Sequence, residues 1–273
     1  YILSKMSAEG AQFADVLAEA QARGLAEADP RFDIDGIDSA HKLVILTALA
    51  FGTELHLRDI HTEGIRHVAQ MDVAYARELG YEIKLLAIGT MHGDDVAARV
   101  HPTLVPATHV LASVRGAFNA IYVEGEALGS SMYYGLGAGM MPTATAVVAD
   151  LIEIARNRLQ DTSARVPPLG IPALRRPRLV PMGDLRTAYY LRIMVRDRPG
   201  VLGNIASIVG RHGISIATVI QKGRSAGGTV PVVIRTHEAR ERDLQAALGR
   251  IRRLAGVQGP PMCLRIADDL GGA

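Results

Sequence analysis

The chain has 273 residues, 48% hydrophobic and 21% charged, with 30 lysines and arginines against 28 acids for a formal charge of +2. That length accommodates two compact domains with their own cores, and the even charge balance offers no electrostatic footprint for nucleic acid or an anionic surface. The single cysteine, Cys263, excludes an intrachain disulfide or thiolate metal cage and points to a reducing, cytoplasmic setting, while the longest apolar runs, such as residues 43–51, fall far short of a membrane span.

In chain order, residues 1–6 already stand in helical rhythm with no capping residue, which reads as a chain incomplete on its N-terminal side. Phe13, Val16, Leu17 and Ala20 share one face of a predicted helix over residues 8–24, stopped by Gly24. An acid-rich loop leads into a very apolar helix over 37–51, whose polar residues Asp38, Ser39, His41 and Lys42 crowd its first turns. Short helices are predicted near 64–71 and 73–79. Strands follow over 82–90, 97–104 and 110–124, and a hairpin passes Gly125 and Gly129 towards residue 134. The run from Gly135 to Gly139 then turns through Pro142 into a helix over 143–156. This first domain, 1–157, reads as α+β, with helices packed on one face of a mixed or antiparallel sheet.

Residues 158–186 have linker composition, with Pro167, Pro168, Pro172, Pro177 and Pro181; the basic cluster Arg175, Arg176 and Arg178 reads as a solvated face rather than a phosphate patch. The remainder alternates strand 189–196, helix 201–212, strands 214–222 and 229–237, helix 240–254 and strand 262–266. That is the βαββαβ order of a ferredoxin-like domain, placed at 187–268.

The chemistry concentrates in residues 27–42, where Glu27, Asp29, Asp33, Asp35 and Asp38 are followed by Lys42. Asp38 and Lys42, four apart on a helix, emerge on one face. On spacing alone they suit an exposed ion pair whose acid complements the helix dipole. They equally suit an acid/base lysine held among carboxylates, because the apolar remainder of the helix predicts burial. Gly135–Gly139 is either a tight turn or a dinucleotide loop, although it follows a hairpin rather than opening a βαβ unit. His56, His61 and His67 lack the spacing that places two metal ligands on one helix face, and Met132, Met140 and Met141 read as packing residues. At 197–205, Asp-Arg-Pro-Gly-Val-Leu-Gly-Asn-Ile forms a strand-to-helix turn whose open amides can receive a carboxylate.

Residues 24–42, GLAEADPRFDIDGIDSAHK, resemble the signature of homoserine dehydrogenases: glycine-tyrosine-x-glutamate-x-aspartate-proline, then aspartate-x-x-glycine-x-aspartate-x-x-x-lysine. Residues 1–6 resemble the end of that family's hinge. Asn119-Ala120, Gly137-Ala138-Gly139 and Pro142-Thr143-Ala144 resemble its later landmarks, so the resemblance covers nearly all of 1–157. It implies NAD(P)-dependent interconversion of L-homoserine and L-aspartate 4-semialdehyde. Lys42 would serve proton transfer at the reacting oxygen, Glu27, Asp33 and Asp38 would hold the amino acid and the lysine, and Gly24 would also belong to the substrate-binding residues. Gly137 and Gly139 would lie beside the nicotinamide, with most cofactor contacts expected in a nucleotide-binding domain absent from this chain, which alone is then not expected to turn over. Leu25 stands where the family often has tyrosine, which removes one hydroxyl contact.

The second domain, with its turn at 197–205, resembles an ACT domain, the small-amino-acid sensor of many biosynthetic enzymes. It implies an amino-acid effector, with threonine the first candidate, at Asp197, Gly200, Val201, Leu202 and Asn204, and edge-to-edge pairing into a homo-oligomer. A non-catalytic amino-acid-sensing protein built on a degenerate dehydrogenase remnant is the rival reading, which a dinucleotide fingerprint upstream would exclude. No metal, nucleic-acid or membrane partner is expected.

Overall fold

The computed structural model describes residues 1–137, 139–162, 173–223, 228–268 and 270. Helix α1 (Ile2–Glu9) ends at Gly10, whose φ of 69° lets its amide close back on the Met6 carbonyl. That stop shortens the helix predicted over 8–24, and α2 runs Phe13–Ala22, burying Val16 and Ala20. A single turn, α3 (Arg31–Ile34), precedes α4 (Ile37–Phe51), whose bounds match the predicted ones.

The predicted burial of α4 needs correction. Only the stripe Ala40, Leu43 and Thr47 is buried, whereas Ile45 is 60% and Leu49 45% exposed. The helix lies on strands by one face only, so its apolar composition exceeds what it buries. Strand β1 (His61–Thr62) and one helix, α5 (Gln70–Glu78), replace the two short helices predicted after residue 64. Residues 63–68 stay out of α5 because their amides bond elsewhere: Glu63 N–H to Val100 O and Ile65 N–H to Ile34 O, while the Asp72 carboxylate accepts the Ala69 amide where α5 begins.

Strands β2 (Tyr81–His92) and β3 (Asp95–Pro106) form a long antiparallel hairpin. Strands β4 (Phe118–Gly125) and β5 (Gly129–Leu136) form a separate one, followed by α6 (Met140–Leu159). The strand predicted from 110 begins late, because residues Val110–Ser113 coil into a short 3-10 turn capped by the His109 ring. Met132, Met140 and Met141 are 40%, 85% and 70% exposed and stay outside the core of the described residues.

The second half supplies β6 (Arg178–Leu179), β7 (Arg186–Arg196), α7 (Val201–Arg211), β8 (Ile216–Gln221), β9 (Thr229–Thr236), β10 (Ala239–Arg240), α8 (Glu241–Ile251) and β11 (Met262–Ile266). Its strands pair β11-β7-β9-β8, each antiparallel to its neighbour, the ferredoxin-like arrangement the alternation predicts. The latter part of the predicted linker is docked: β6 lies parallel to β3, Arg175 pairs with Asp94, Arg178 with Asp95, and Arg176 lies 3.8 Å from Glu54. Pro167, Pro168 and Pro172 fall outside the described residues.

Strand β3 joins the halves. It pairs along its length with β2, and it also pairs with β6, β1 and β11 through short parallel stretches. Because β11 is hydrogen-bonded to both β3 and β7, the described residues form one nine-stranded mixed sheet. A shared core follows: Met6, Val16, Ile34, Val73 and Leu104 from the first half pack with Tyr190, Val233, Leu264 and Ile266 from the second. A separate core under α7 and α8 includes Leu191, Ile193, Ile205, Val209, Leu244 and Leu248.

Candidate active site

The start of α4 is set by two glycines. Gly36, the residue before the helix, has φ of 80°, and a Cβ there would lie 3.1 Å from Val100 Cγ1 and 3.2 Å from the Glu63 carbonyl oxygen. Opposite it, a Cβ on Gly64 would fall 2.1 Å from Ile34 O, so the two backbones touch. Ile65 N–H donates to Ile34 O at 2.8 Å, and Arg66 grips Asp35 through two hydrogen bonds of 3.1 and 2.9 Å. Residues 63–66 thus clamp the turn 34–36.

From that clamped turn α4 presents Asp38 and Lys42, with Lys42 Nζ donating to Asp38 Oδ2 at 2.7 Å. The side chains are 48% and 57% exposed, so the ammonium is open to a ligand and is not the buried charge the apolar helix led us to expect. Upstream, the Glu27 amide donates to Asp33 Oδ2 at 3.2 Å, and Gln21 Nε2 donates to the carbonyls of Glu27 and Ala28 at 3.0 and 3.3 Å. Among the described residues the Glu27 carboxylate has no partner of its own. Asp29 is taken by Arg31, whose hydrogen bonds hold its carboxyl below the usual range. Gly24, with φ of 67°, closes α2, and the next two amides, of Leu25 and Ala26, both bond Ala20 O.

The sequence-derived residues therefore gather as two pairs, Glu27 with Asp33 and Asp38 with Lys42; among the described residues no hydrogen bond or ion pair joins one pair to the other. Carboxylates that accept without competing bases suit a substrate ammonium, and an accessible lysine suits an oxygen that gains or loses a proton. Sequence reasoning missed the clamp, Glu63, Gly64 and Arg66, and the Phe32–His41 ring stack at 6.0 Å over the same turn. It also missed Arg265, visible only as one charge in an otherwise apolar strand. Arg265 bonds Glu63 at 2.8 Å. Burial would raise the Glu63 pKa, but hydrogen bonds from His61 and Arg265 outweigh it and hold the carboxyl well below its ordinary value.

Gly137 and Gly139 stand between the β4–β5 hairpin and α6. A Cβ on Gly137 would sit 1.6 Å from Asn119 Nδ2, so that glycine admits a neighbouring side chain. Gly139, φ 129°, begins α6, and the turn is entered from the antiparallel β4–β5 hairpin rather than from a parallel strand. Ala138 lies outside the described residues.

In the second half, Gly200 (φ 88°) precedes α7, Asn204 N–H donates to Gly200 O at 3.0 Å, and Asp197 N–H donates to Gly228 O at 3.0 Å. Val201 and Leu202 are half-buried against the α7–α8 core. A Cβ on Gly256 would lie 2.7 Å from Val201 Cγ2, so the turn packs tightly on the loop after α8.

Comparison with known proteins meets this geometry. The homoserine dehydrogenase family model matches residues 1–152, and an ACT domain model matches 189–256. The chain belongs to the homoserine dehydrogenase family. It is 45% identical to the homoserine dehydrogenases of Neisseria gonorrhoeae and of Pseudomonas aeruginosa, each time over 97% of this chain and 62% of the relative. A solved homoserine dehydrogenase from Thiobacillus denitrificans superposes with a TM-score of 0.88 at 46% identity, over 98% of this chain and 61% of that one. The Staphylococcus aureus enzyme superposes at 0.70 with 29% identity, over 98% and 62%. The chain thus spans 62% of the length of the curated relatives it matches. The acid-rich turn, α4 and the β4–β5–α6 segment up to residue 152 all fall inside the homoserine dehydrogenase match. Among the described residues no helix is long and apolar enough to cross a membrane.

Proposed function

We propose that this chain supplies the substrate-handling and regulatory parts of an NAD(P)-dependent homoserine dehydrogenase, interconverting L-homoserine and L-aspartate 4-semialdehyde in threonine and methionine biosynthesis. The observation that carries this reading is the Asp38–Lys42 pair, 2.7 Å apart and half exposed, at the head of a helix clamped beside the Glu27–Asp33 turn.

In this reading Glu27 and Asp33 accept the hydrogens of the substrate ammonium. Lys42 gives its proton to the carbonyl oxygen as the aldehyde is reduced and takes it back as the alcohol is oxidised, while Asp38 keeps the ammonium aimed. The nicotinamide supplies or removes the hydride when bound. Gly137 and Gly139 lie beside the nicotinamide end in this reading, and most of the cofactor's binding is assigned to groups outside those described. A threonine-class amino acid is the effector at Asp197, Gly200, Val201, Leu202 and Asn204, with the protein acting in the cytoplasm as a homo-oligomer. The sensing-only alternative has no observation in its favour, since Glu27, Asp33, Asp38 and Lys42 are all present and the last two are paired.

The test is a hybrid in which this chain replaces the matching 61% of the Thiobacillus denitrificans relative. NADPH oxidation with aspartate semialdehyde, slowed by threonine, supports the reading. A soluble, cofactor-binding hybrid with no turnover contradicts it.

A further inference from the structure

Glu63 faces two ways. Its backbone belongs to the clamp: its carbonyl oxygen would stand 3.2 Å from a Cβ on Gly36, crowding it together with Val100 and Thr62, and its next three neighbours hold Ile34 and Asp35. Its side chain, about one-third exposed, ends a chain of charges that runs inward to the buried Arg265 and Glu241. Arg265 Nη1 and Nη2 donate to the two Glu63 oxygens, both at 2.8 Å, and His61 Nε2 lies 2.6 Å from Oε1.

Arg265 is 3% exposed and sits in β11, the last strand of the ferredoxin-like half and just beyond the residues 189–256 that the ACT model matches. On its other side Nε and Nη2 donate to Glu241 at 3.0 and 2.7 Å, and Glu241 also accepts the Tyr189 hydroxyl at 2.9 Å. A planar guanidinium can serve two carboxylates at once with fixed directions; an ammonium in its place could not keep both forks.

Holding the two halves together does not require this arrangement. The β3–β11 pairing and the shared core already do so, and a second buried pair, Arg192 on Asp72 at 2.6 and 2.9 Å with the Tyr190 hydroxyl at 2.9 Å, ties β7 to α5 through residues outside the clamp. Unlike Arg192, Arg265 reaches Glu63, the residue whose backbone supports the head of α4.

We propose that Arg265 is a positioning residue of the candidate active site: from β11 it fixes Glu63, and through residues 63–66 it fixes the turn that aims Asp38 and Lys42. The inference rests on the roles given to Asp38 and Lys42 above. It makes the ferredoxin-like half a structural member of the site, and because β11 pairs with β7 it gives a change in that half a direct mechanical route to the proton-transferring lysine.

Two measurements test it. The first is amide hydrogen exchange on this chain, unmodified and with R265M, R265K, E63Q or Y190F, the last loosening the second buried pair. Loss of the fork should speed exchange at the Ile65 and Ala40 amides by about tenfold or more while residues 70–78 move less than about threefold, and Y190F should do the reverse. Should R265M not fold, R265K, which keeps the charge, and E63Q carry the test. The second uses the hybrid: R265K should lower kcat by about tenfold with KM changed less than about threefold, and E63Q added to R265K should cost little more. Unchanged exchange at Ile65 and Ala40, or equal acceleration throughout the chain, would overturn the positioning role. The expected exchange pattern together with a hybrid inactive even without substitution would leave positioning standing and overturn the proposed activity instead.

Discussion

Lys42 Nζ and Asp38 Oδ2 lie 2.7 Å apart, one turn apart on α4, with both side chains about half in solvent. An ion pair this exposed contributes little to folding, because water screens it and two long side chains must be ordered to form it. Asp38→Asn should therefore leave the unfolding midpoint within about 2 °C while lowering kcat about a hundredfold, since it frees the lysine from its aim. Calorimetry of the chain and rates of the hybrid, measured on the same variant, check the split. A large thermal shift with intact rates would make the pair structural.

Among the described residues no cation occupies the Glu27 carboxylate, which stands beside an amide already spent on Asp33. Glu27→Gln keeps the shape and removes the charge. The KM for homoserine should rise about ten- to a hundredfold, the value of a charge-assisted hydrogen bond, with the unfolding midpoint unmoved. Steady-state kinetics across a homoserine series decide it, and an unaltered KM would remove Glu27 from the substrate site.

Gly64 meets the turn backbone to backbone, with no flexible side chain to yield: a Cβ would stand 2.1 Å from Ile34 O and 2.3 Å from Asp35 Cα. Gly64→Ala must push the turn away, and the unfolding midpoint should fall by about 5 °C or more. Activity should fall with it, because the displaced turn carries α4. A variant as stable as the parent would mean that the contact is not held in solution.

Much of this was legible in the sequence, for identifiable reasons. The bounds of α4 could be read because Gly36 and Gly52 flank a largely apolar segment with its charged residues in the first turns, and the βαββαβ alternation because its strands and helices follow one another with turn residues between. The acid-rich turn was found through its side chains. Its support was not, because the clamp acts through backbone: Gly64 and the Ile65 amide leave no pattern that marks what they touch 30 residues away. Burial of α4 was misread because composition counts apolar residues without saying how many faces are covered, and Ile45 and Leu49 stay outside. The separateness of the two halves was overestimated for a similar reason. Proline-rich composition marks residues 158–186 as a linker, yet β6 docks on β3, and the parallel pairing of β11 with β3 is invisible to local reading.

His101 gives a pH dependence with a definite sign. It is 1% exposed, Nδ1 lies 2.8 Å from the Thr103 hydroxyl, and burial first, then Arg265 and Arg99, push its pKa down from 6.5 to about 3. Below pH 6.5 the unfolded chain takes up a proton that the folded chain refuses, so this contribution, complete above pH 6.5, is lost as the pH falls towards 3. The loss reaches about 2 kcal/mol by pH 5. Below its ordinary pKa of 4.5 Glu63, held well down by its partners, adds a loss of the same sign. His101→Asn, which keeps an acceptor near Nδ1, should flatten the fall in denaturant midpoint between pH 7 and pH 5. An equally steep fall in the variant would place the acid sensitivity elsewhere.

The central claim is that Lys42 moves the proton at the reacting oxygen, and single-turnover kinetics of Lys42→Ala in the hybrid test it most directly. With enzyme in excess over aspartate semialdehyde, the variant should bind the substrate within about threefold of the parent and retain the parent's unfolding midpoint. Its rate of NADPH oxidation should fall by about a thousandfold, within the range general acid catalysis supplies. A variant that keeps more than about a tenth of the parent rate at saturating substrate would contradict the assignment, because a proton donor that can be deleted so cheaply is not the one the reaction uses.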